Sequence, residues 1–426
     1  MKNKSNIIYS TIAGNVLEYY DFIIYSFFAK EIGAEFFSSQ DSFSQLILSL
    51  LVFIVGFAAR PLGGVIFGYI GDKYGRKTSL LISIFTMAFA TLSMGMLPGY
   101  KQIGIYASIA LFVLRIVQGL CLAGEGVGAA IFALEHLKFY RSGLIGGIIA
   151  ASNNVGILLG LAVSIIFHNI FSLYFNEYIW RAVFIFGGVV GLIGAYIRVY
   201  IPETELFLEM HRDKDKRLSF KNLVTNNFLD FIKIFLLGGI TGALTYFIVS
   251  YLPIYLTNDL KIASDISLFY IFIAIISNII FLPFFGHISD IIGVNKIYTY
   301  SNIVILIFIF PILASINNAI ENRYIMFLLI VLGIITASVC GPSYKYMTEL
   351  LEPRIRFTGV AFGFNLGIAL LASPISLITI YLTKQFSSLQ GVFVPSFYIA
   401  FLALLNLLML VIRKKTFNLS NLHKHN

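Results

Sequence analysis

Charge is scarce in this chain, and so are the residues from which disulfides and metal centres are built. Aspartate, glutamate, lysine and arginine make up 12% of the 426 residues, whereas soluble globular proteins carry roughly 25%. The two cysteines, Cys121 and Cys340, both lie in apolar runs, so neither a disulfide framework nor a metal site is expected. No segment of the Gly-x-x-x-x-Gly-Lys-Ser/Thr type is present, which argues against an ATP-driven pump.

Hydrophobic sequence is abundant, at 58% of the residues. A helix needs about 20 apolar residues to cross the hydrocarbon core of a bilayer, and twelve runs meet that need. They are centred near Glu18, Phe57, Ala88, Leu120, Ile157, Gly191, Ala243, Ser277, Leu306, Thr336, Gly367 and Leu404. Alternation at the period of a strand is absent, which argues against a membrane barrel. The sequence therefore predicts an all-α membrane protein with twelve transmembrane helices.

The net charge of +9 comes from basic residues whose placement follows a membrane topology rather than a nucleic-acid-binding surface. Most of the 30 lysines and arginines, Arg198 among them, fall in segments that are cytoplasmic if both termini are cytoplasmic. The exceptions inside or at the ends of apolar runs are Arg60, Arg115, Lys233 and Lys345. We expect a multi-pass protein of the bacterial inner membrane, with both termini in the cytoplasm and no nucleic-acid partner.

A repeated segment indicates two related halves. Residues 67–75 recur at a constant offset as residues 285–293, with phenylalanine, isoleucine, aspartate and glycine at matching places. The sequence predicts six-helix bundles at 1–201 and 232–426, joined by a polar cytoplasmic linker at 202–231. In the second copy, valine and asparagine stand where Arg76 and Lys77 stand in the first. Any cluster of ion pairs at the second copy would therefore be weaker than at the first, or would rely on Lys296.

The first helix carries carboxylates where a membrane tolerates few. An ionisable side chain at mid-bilayer costs at least ~2.5 kcal/mol on insertion scales, so each one is a functional hypothesis. Helical spacing places Asn15, Glu18, Phe22 and Tyr25 on one face, with Asp21 beside Glu18. Two buried carboxyls so close resist carrying charge together, so at least one is a candidate for proton exchange. Static pairing with cations on neighbouring helices is the alternative.

The fourth helix contains a second polar set, Arg115, Gln118 and Glu125. Arg115 and Glu125 lie about 15 Å apart along the helix axis. Arginine can bind a carboxylate through two parallel hydrogen bonds, which lysine cannot reproduce. We predict that Arg115 and Gln118 bind substrate and that Glu125 is a further proton-coupling candidate. An ion pair between Arg115 and Asp21 is the alternative.

Several segments resemble the major facilitator superfamily, and within it the metabolite:H+ symporters. The segment 60–77, Arg-Pro-Leu-Gly-Gly-Val-Ile-Phe-Gly-Tyr-Ile-Gly-Asp-Lys-Tyr-Gly-Arg-Lys, is similar to the superfamily's loop between its second and third helices. The first-helix segment 14–22 resembles the symporter pattern, with Tyr19 where tryptophan is usual. The fourth-helix segment 115–125 does so with Ala123 in place of one glycine. Residues 180–184, 201–204 and 349–367 extend the resemblance.

This resemblance implies the major facilitator fold, two pseudo-symmetric six-helix bundles around a central site that work by alternating access. It implies a proton as the coupling ion and no other cofactor. The loop charges would form a breakable inner gate from Asp72, Arg76, Glu135, Asp290 and Glu349. The substrates implied include proline and betaine, and also dicarboxylates and other organic acids.

Choosing among these substrates depends on the charges of the cavity. Glu18, Asp21 and Glu125 against Arg115 suit a zwitterion, whereas Arg115 together with Lys345 would suit an anion. Lys345 has a second interpretation, an ion pair with Glu349 one helical turn away.

The remaining substrate-binding candidates are Tyr19, Asn153, Tyr251 and Asn365. Each asparagine also has a plainer interpretation, a hydrogen bond between helices. Two other functions stay open: an exporter of the same fold that works as an antiporter, and a membrane-embedded enzyme. The enzyme would need a cluster of His, Asp or Ser near one interface, which the sequence lacks, so we expect a transporter that is monomeric.

Overall fold

Twelve long helices form the computed structural model, which describes residues 2–38, 41–137, 141–175, 178–212, 227–318, 322–375, 378–379, 381–382 and 393–412. In the first half of the chain they are α1 (Lys2–Phe27), α2 (Ser42–Tyr74), α3 (Arg76–Met96), α4 (Ile105–His136), α5 (Ser142–Phe175) and α6 (Ile179–Val199).

The second half continues with α7 (Phe228–Tyr246, then a π-helical turn Phe247–Tyr251 and Leu252–Asn258), α8 (Ser264–Ile292), α9 (Val294–Asn317), α10 (Asn322–Cys340, then Ser343–Leu350), α11 (Arg356–Gly367, then π-helical Ile368–Ala372) and α12 (Val394–Val411). Every predicted centre lies within its helix. No strand occurs among the described residues, so the predicted all-α class is confirmed.

Ten of these helices are long and apolar enough to cross a membrane. The other two are α11, which is shorter, and α1, whose Asn15, Glu18 and Asp21 lower its hydropathy. With 26 residues, α1 is about 39 Å long and still exceeds the thickness of the hydrocarbon core. The twelve-helix prediction is therefore consistent with the structure.

Contacts divide the chain into two compact units. The first contains residues 1–138 and 152–217, and the second contains residues 139–151 and 218–426. The start of α5 thus packs with the second unit and the rest of α5 with the first. The bundle boundaries at 201 and 232 stay a prediction. Within the predicted linker, a short helix spans Glu205–Arg212, and residues 213–226 lie outside the described residues.

Close packing of α2 against α4 sets the interior of the first unit. A Cβ at Gly63 would lie 2.1 Å from the backbone oxygen of Leu120, and a Cβ at Gly119 would lie 2.0 Å from that of Gly56. Only glycine allows the two backbones to approach this closely, as is common where membrane helices meet. The approach brings the arginines that α2 and α4 carry into one region.

The repeated segment also has a repeated backbone. Gly75 joins α2 to α3 with φ +117°, and Gly293 joins α8 to α9 with φ +94°. Both values lie in a region that residues with a Cβ rarely adopt. The two joints therefore need glycine for the same reason, although the charged residues around them differ.

Candidate functional site

Arg115 lies at the centre of the polar group that the sequence predicted on α1 and α4. Its side chain is fully buried, at 0% exposed. Nη1 and Nη2 both donate to the backbone oxygen of Phe22 at 3.2 Å, and Nη1 also donates to Gln118 Oε1 at 2.7 Å. Nε has no hydrogen-bond partner in the described part of the chain. Within the described part of the chain no carboxylate lies in salt-bridge distance of Arg115, so the alternative ion pair with Asp21 is not formed.

A second arginine, Arg60 of α2, shares the Phe22 ring with Arg115. Arg115 Cζ lies 4.0 Å from the ring centroid and Arg60 Cζ lies 4.8 Å from it, and Arg60 is also 4.4 Å from the Phe57 centroid. Each such cation–π contact is worth about 0.5–2 kcal/mol. That offsets only part of the cost of burying two like charges. The two guanidinium groups therefore favour an anion beside them.

A chain of polar groups leads from Arg115 towards Asp21. Gln118 Nε2 donates to Thr91 Oγ1 at 2.8 Å, and Thr91 lies beside Asp21. Asp21 also faces α6, where a Cβ at Gly187 would lie 2.6 Å from Asp21 Oδ1. That Oδ1 has no hydrogen-bond partner among the described residues. Asp21 is thus buried between α3 and α6, and no described lysine or arginine forms an ion pair with it.

Glu18 lies in different surroundings from Asp21, although the sequence places the two carboxyls side by side on α1. The strongest charges around Glu18 are those of Glu125 and Arg198, whereas Asp21 contributes least among its charged neighbours. Glu18 is 1% exposed, and neither of its carboxyl oxygens has a hydrogen-bond partner in the described residues. A buried carboxyl without a partner is far less costly when neutral. This geometry favours Glu18 as a carrier of a proton.

Glu125 is paired, and its partner is a residue that the sequence assigned to a cytoplasmic segment. Arg198 Nη1 binds Glu125 Oε1, and Ser83 Oγ donates to Glu125 Oε2 at 3.1 Å. Arg198 belongs to the last turn of α6 and is 2% exposed. The structure buries the Arg198 side chain inside the first unit, against the carboxylate of Glu125, and its predicted place at the cytoplasmic end of α6 stays a prediction.

Three other candidates on α1 have packing partners. Asn15 Nδ2 donates to Ser152 Oγ at 2.7 Å and to Asn153 Oδ1, so Asn153 makes the helix-to-helix hydrogen bond given as its plainer interpretation. Tyr25 donates to the backbone oxygen of Ser49 at 3.2 Å. Tyr25 is fully buried, and its ring centroid lies 4.7 Å from Arg115 Cζ, so its role in substrate binding stays a prediction. Tyr19, partly exposed, lies against α4 and α5 through glycines of both helices.

The first predicted gate lies at the joint between α2 and α3. Arg76 is fully buried; its Nε donates to Glu135 Oε2 at 3.1 Å, and its Nη1 lies 3.3 Å from Asp72 Oδ1. Thr204 Oγ1 also donates to Glu135 Oε2, at 3.3 Å. Glu203 accepts the backbone N–H of the second residue of α3 at 3.0 Å. The structure thus brings Asp72, Arg76 and Glu135 together, and attaches the segment after α6 to the same cluster.

The second predicted gate has a different cation from the one expected. Lys345 Nζ lies 2.9 Å from Asp290 Oδ1, while Lys296 is exposed and makes no ion pair among the described residues. Asp290 also accepts the backbone N–H groups of Gly143 and Leu144, at 2.8 and 3.0 Å. A carboxylate at a helix N-terminus satisfies donors that have no partner within the helix. Lys345 therefore pairs with Asp290 rather than with Glu349.

The remaining candidates belong to the second unit. Tyr251 is buried and stacks between Phe247 and Tyr255, with ring centroids 5.4 and 5.8 Å apart. Asn365 Nδ2 donates to the backbone oxygen of Ala361 at 2.8 Å, within its own helix. The nearest charges to Glu349 are, in order of their effect, those of Lys345, Asp290 and Arg356. Substrate-binding roles for Tyr251 and Asn365 stay predictions.

Sequence reasoning missed Arg60, Arg198, Ser83 and Thr91 as parts of this site. A usable signal existed for Arg198, because acidic residues inside membranes often pair with a cation on a neighbouring helix. Ser83 and Thr91 carried no such signal, since hydroxyls are common in membrane helices. Among the described residues, no three His, Cys, Asp or Glu side chains are grouped so that they could hold a metal ion.

Comparisons with known proteins bear on the family and the fold of this chain. A family model described as Major Facilitator Superfamily matches residues 11–280. A proline/betaine transporter of Salmonella typhimurium is 30% identical over 417 residues, which cover 95% of this chain and 82% of the relative. An inner membrane metabolite transport protein of Escherichia coli is 28% identical, covering 98% of this chain and 95% of that protein.

Among solved structures, the proton:xylose symporter XylE bound to 6-bromo-6-deoxy-D-glucose superposes with a TM-score of 0.76. The alignment covers 96% of this chain and 95% of that one, at 16% sequence identity. At this identity the likeness concerns the fold alone. It confirms the predicted architecture of twelve helices.

Proposed function

Because this chain belongs to the major facilitator superfamily and is a multi-pass membrane transporter rather than an enzyme, we propose that it carries a small metabolite with a carboxylate group together with a proton. The proposal rests on one observation. Among the described residues of the first unit, the guanidinium groups of Arg60 and Arg115 have no carboxylate partner, and the carboxyl group of Glu18 has no hydrogen-bond partner.

The substrate class follows from the arginines. A buried guanidinium without an acid favours a carboxylate, which it can bind through two parallel hydrogen bonds. Phe22 and Phe57 beside the arginines offer ring faces, and a ring face attracts a quaternary or secondary ammonium group. Proline and betaine, the compounds in the names of several relatives, combine these two groups. A zwitterion therefore fits this region best, and an organic anion is the other substrate of the same chemistry.

The coupling ion follows from Glu18. A proton neutralises a carboxyl that has no other compensation, and its release restores a charge in the interior of the unit. That change in buried charge alters the relative free energies of the protein's conformations. Asp72, Arg76 and Glu135 supply the charged cluster that would open and close during the cycle. We further propose a monomer in the bacterial inner membrane with both termini in the cytoplasm.

Uptake by purified protein in proteoliposomes tests this function. Labelled betaine, proline and a dicarboxylate are each offered with and without an imposed inward proton gradient. We expect accumulation of one of them only with the gradient. Glu18→Gln should abolish accumulation but keep exchange of labelled for unlabelled substrate, because exchange needs no net proton movement.

Two outcomes would contradict the proposal. Accumulation that does not depend on the proton gradient would mean that the proton is not the coupling ion, and accumulation driven by an outward-directed gradient would indicate an antiporter.

Arg115→Lys should weaken substrate affinity by roughly one to a few kcal/mol. Unchanged affinity in the folded, monodisperse variant would mean that Arg115 does not bind the substrate.

A further inference from the structure

In the ion pair between Arg198 and Glu125, only one of the two terminal nitrogens of the guanidinium contacts the carboxylate. Nη1 binds Glu125 Oε1, whereas Nη2 has no hydrogen-bond partner among the described residues. The other carboxyl oxygen of Glu125 is held by Ser83 at 3.1 Å. A guanidinium has five donors in a fixed planar fork, so it can serve two carboxylates at once. Arg198 therefore has an unused donor in a buried place.

Gly14 shows where that donor lies. A Cβ at position 14 would be 2.2 Å from Arg198 Nη2, 2.8 Å from its Cζ and 3.1 Å from Glu125 Oε1. The guanidinium thus lies directly on the surface of α1, where a side chain at position 14 would displace it. Glu18 follows Gly14 by one helical turn on the same face. The unused donor and the carboxyl without a partner are neighbours along α1.

Charged and titratable groups of three neighbouring helices surround Glu18. In addition to Asp21 on its own helix, the titratable and charged groups near it are Glu125 and Cys121 on α4, Arg198 on α6 and Arg60 on α2. Glu125 opposes a charge on Glu18, whereas Arg198 and Arg60 favour one. Of the two cations, Arg198 is the one already engaged with an acid. Its position therefore decides how Glu125 and Glu18 compete.

We propose that Arg198 is a positioning residue shared between Glu125 and Glu18, with Glu18 as the proton carrier of the proposed symport. With the proton on Glu18, the three groups are neutral together and Arg198 binds Glu125 alone. When the O–H bond of Glu18 breaks, its proton leaves to the aqueous side then open. The new carboxylate accepts from Nη2, and Arg198 bridges the two acids. Proton release is thereby linked to a contact between α1 and α6.

The first test is a titration that does not depend on transport. Infrared difference spectra of the purified protein are recorded as a function of pH. The band of the protonated Glu18 carboxyl is identified as the one that is lost in Glu18→Gln. In Arg198→Lys a single ammonium stays with Glu125 and cannot form the bridge, so Glu18 holds its proton more tightly. We expect the midpoint of that band to move to higher pH.

Matched controls lie on the same helices. Arg181 of α6 also pairs with a glutamate, Glu35, at 2.7 Å but near the other end of that helix. Arg181→Lys should leave the midpoint unchanged. Gly14→Ala keeps every charge but displaces the guanidinium, so it should move the midpoint as Arg198→Lys does. Gly126→Ala, where the nearest contact is an ordinary 3.5 Å, should not.

The outcomes separate this inference from the proposed function. Wild-type midpoints in both Arg198→Lys and Gly14→Ala would overturn the inference, and Arg198 would then be a structural partner of Glu125 alone. If Arg198→Lys does not fold, Gly14→Ala decides by itself. If no titrating carboxyl band is lost in Glu18→Gln, the inference is overturned as well. Uptake without proton dependence would overturn the proposed symport whatever the infrared midpoints show.

Discussion

The two joints of the repeated segment, α2–α3 and α8–α9, have the same backbone but different charge partners. At the first joint, Asp72 lies beside Arg76 of its own loop, and Arg76 binds Glu135. At the second, Asp290 binds Lys345 and two backbone N–H groups. Both joints turn at a glycine with positive φ. A duplicated backbone therefore does not require duplicated ion pairs.

The difference has a physical basis in burial. Arg76 is fully buried, and it needs the acidic residues around it because an uncompensated interior cation is costly. The side chain of Lys345 is 13% exposed and that of Asp290 15% exposed. Asp290 also receives backbone donors that no substitution removes. The first joint should therefore depend more strongly on its charges than the second.

The largest effect should come from Arg76→Gln. This change leaves Glu135 buried without its cation, which typically costs about 3–5 kcal/mol. We expect a sharp loss of folded protein, measured as the melting midpoint and the monodisperse fraction in detergent. Lys73→Gln, a loss of one positive charge on an exposed neighbour, is the control. A variant as stable as wild type would mean that the first joint does not depend on this charge.

Asp72→Asn should affect transport more than stability. Asp72 is partly exposed at its side chain, so the folded protein should persist, but the charge that helps hold Arg76 is lost. We expect normal membrane insertion and uptake lowered at least about tenfold, which corresponds to about 1.4 kcal/mol. Wild-type uptake rates in this variant would show that the first joint is not part of the gate.

Lys345→Gln should have a smaller effect than Arg76→Gln. Asp290 keeps the N–H groups of Gly143 and Leu144, so the loss should be about 1–3 kcal/mol in unfolding free energy. The measurement is the melting midpoint of Lys345→Gln and Arg76→Gln side by side. A cost for Lys345→Gln equal to that for Arg76→Gln would remove the proposed asymmetry between the joints.

The smallest effect should come from Lys296→Gln. The sequence left two alternatives for the second joint, weaker pairing or reliance on Lys296, and the structure leaves Lys296 exposed. Surface substitutions of this kind usually change stability by about 0.5 kcal/mol or less. We expect melting and uptake like those of wild type. A loss comparable to that of Lys345→Gln would indicate that Lys296 takes part in the gate after all.

Several residues of the site could be predicted because an ionisable side chain in an apolar run stands out by itself, without knowledge of its partners. Arg115, Glu18 and Glu125 each stood out as an ionisable residue in an apolar run, and all three are buried in the first unit. The partners could not be predicted in the same way. Arg198 looked like a loop residue because it ends an apolar run, and the choice of Lys345 over Lys296 depends on which side chain reaches Asp290.

The sequence by itself determined the class of protein, the twelve helices and the repeat, because these depend on hydropathy and spacing along one chain. Only the tertiary structure decided which charges pair, since a salt bridge depends on distances between helices that are far apart in sequence. Arg198 and Glu125 are the clearest case: their pairing requires α6, α4 and the bare backbone at Gly14 to meet at one point. The local sequence pattern does not specify which helices come together. Once the helices are packed, the cost of burying an unpaired charge favours the pairing of Arg198 with Glu125.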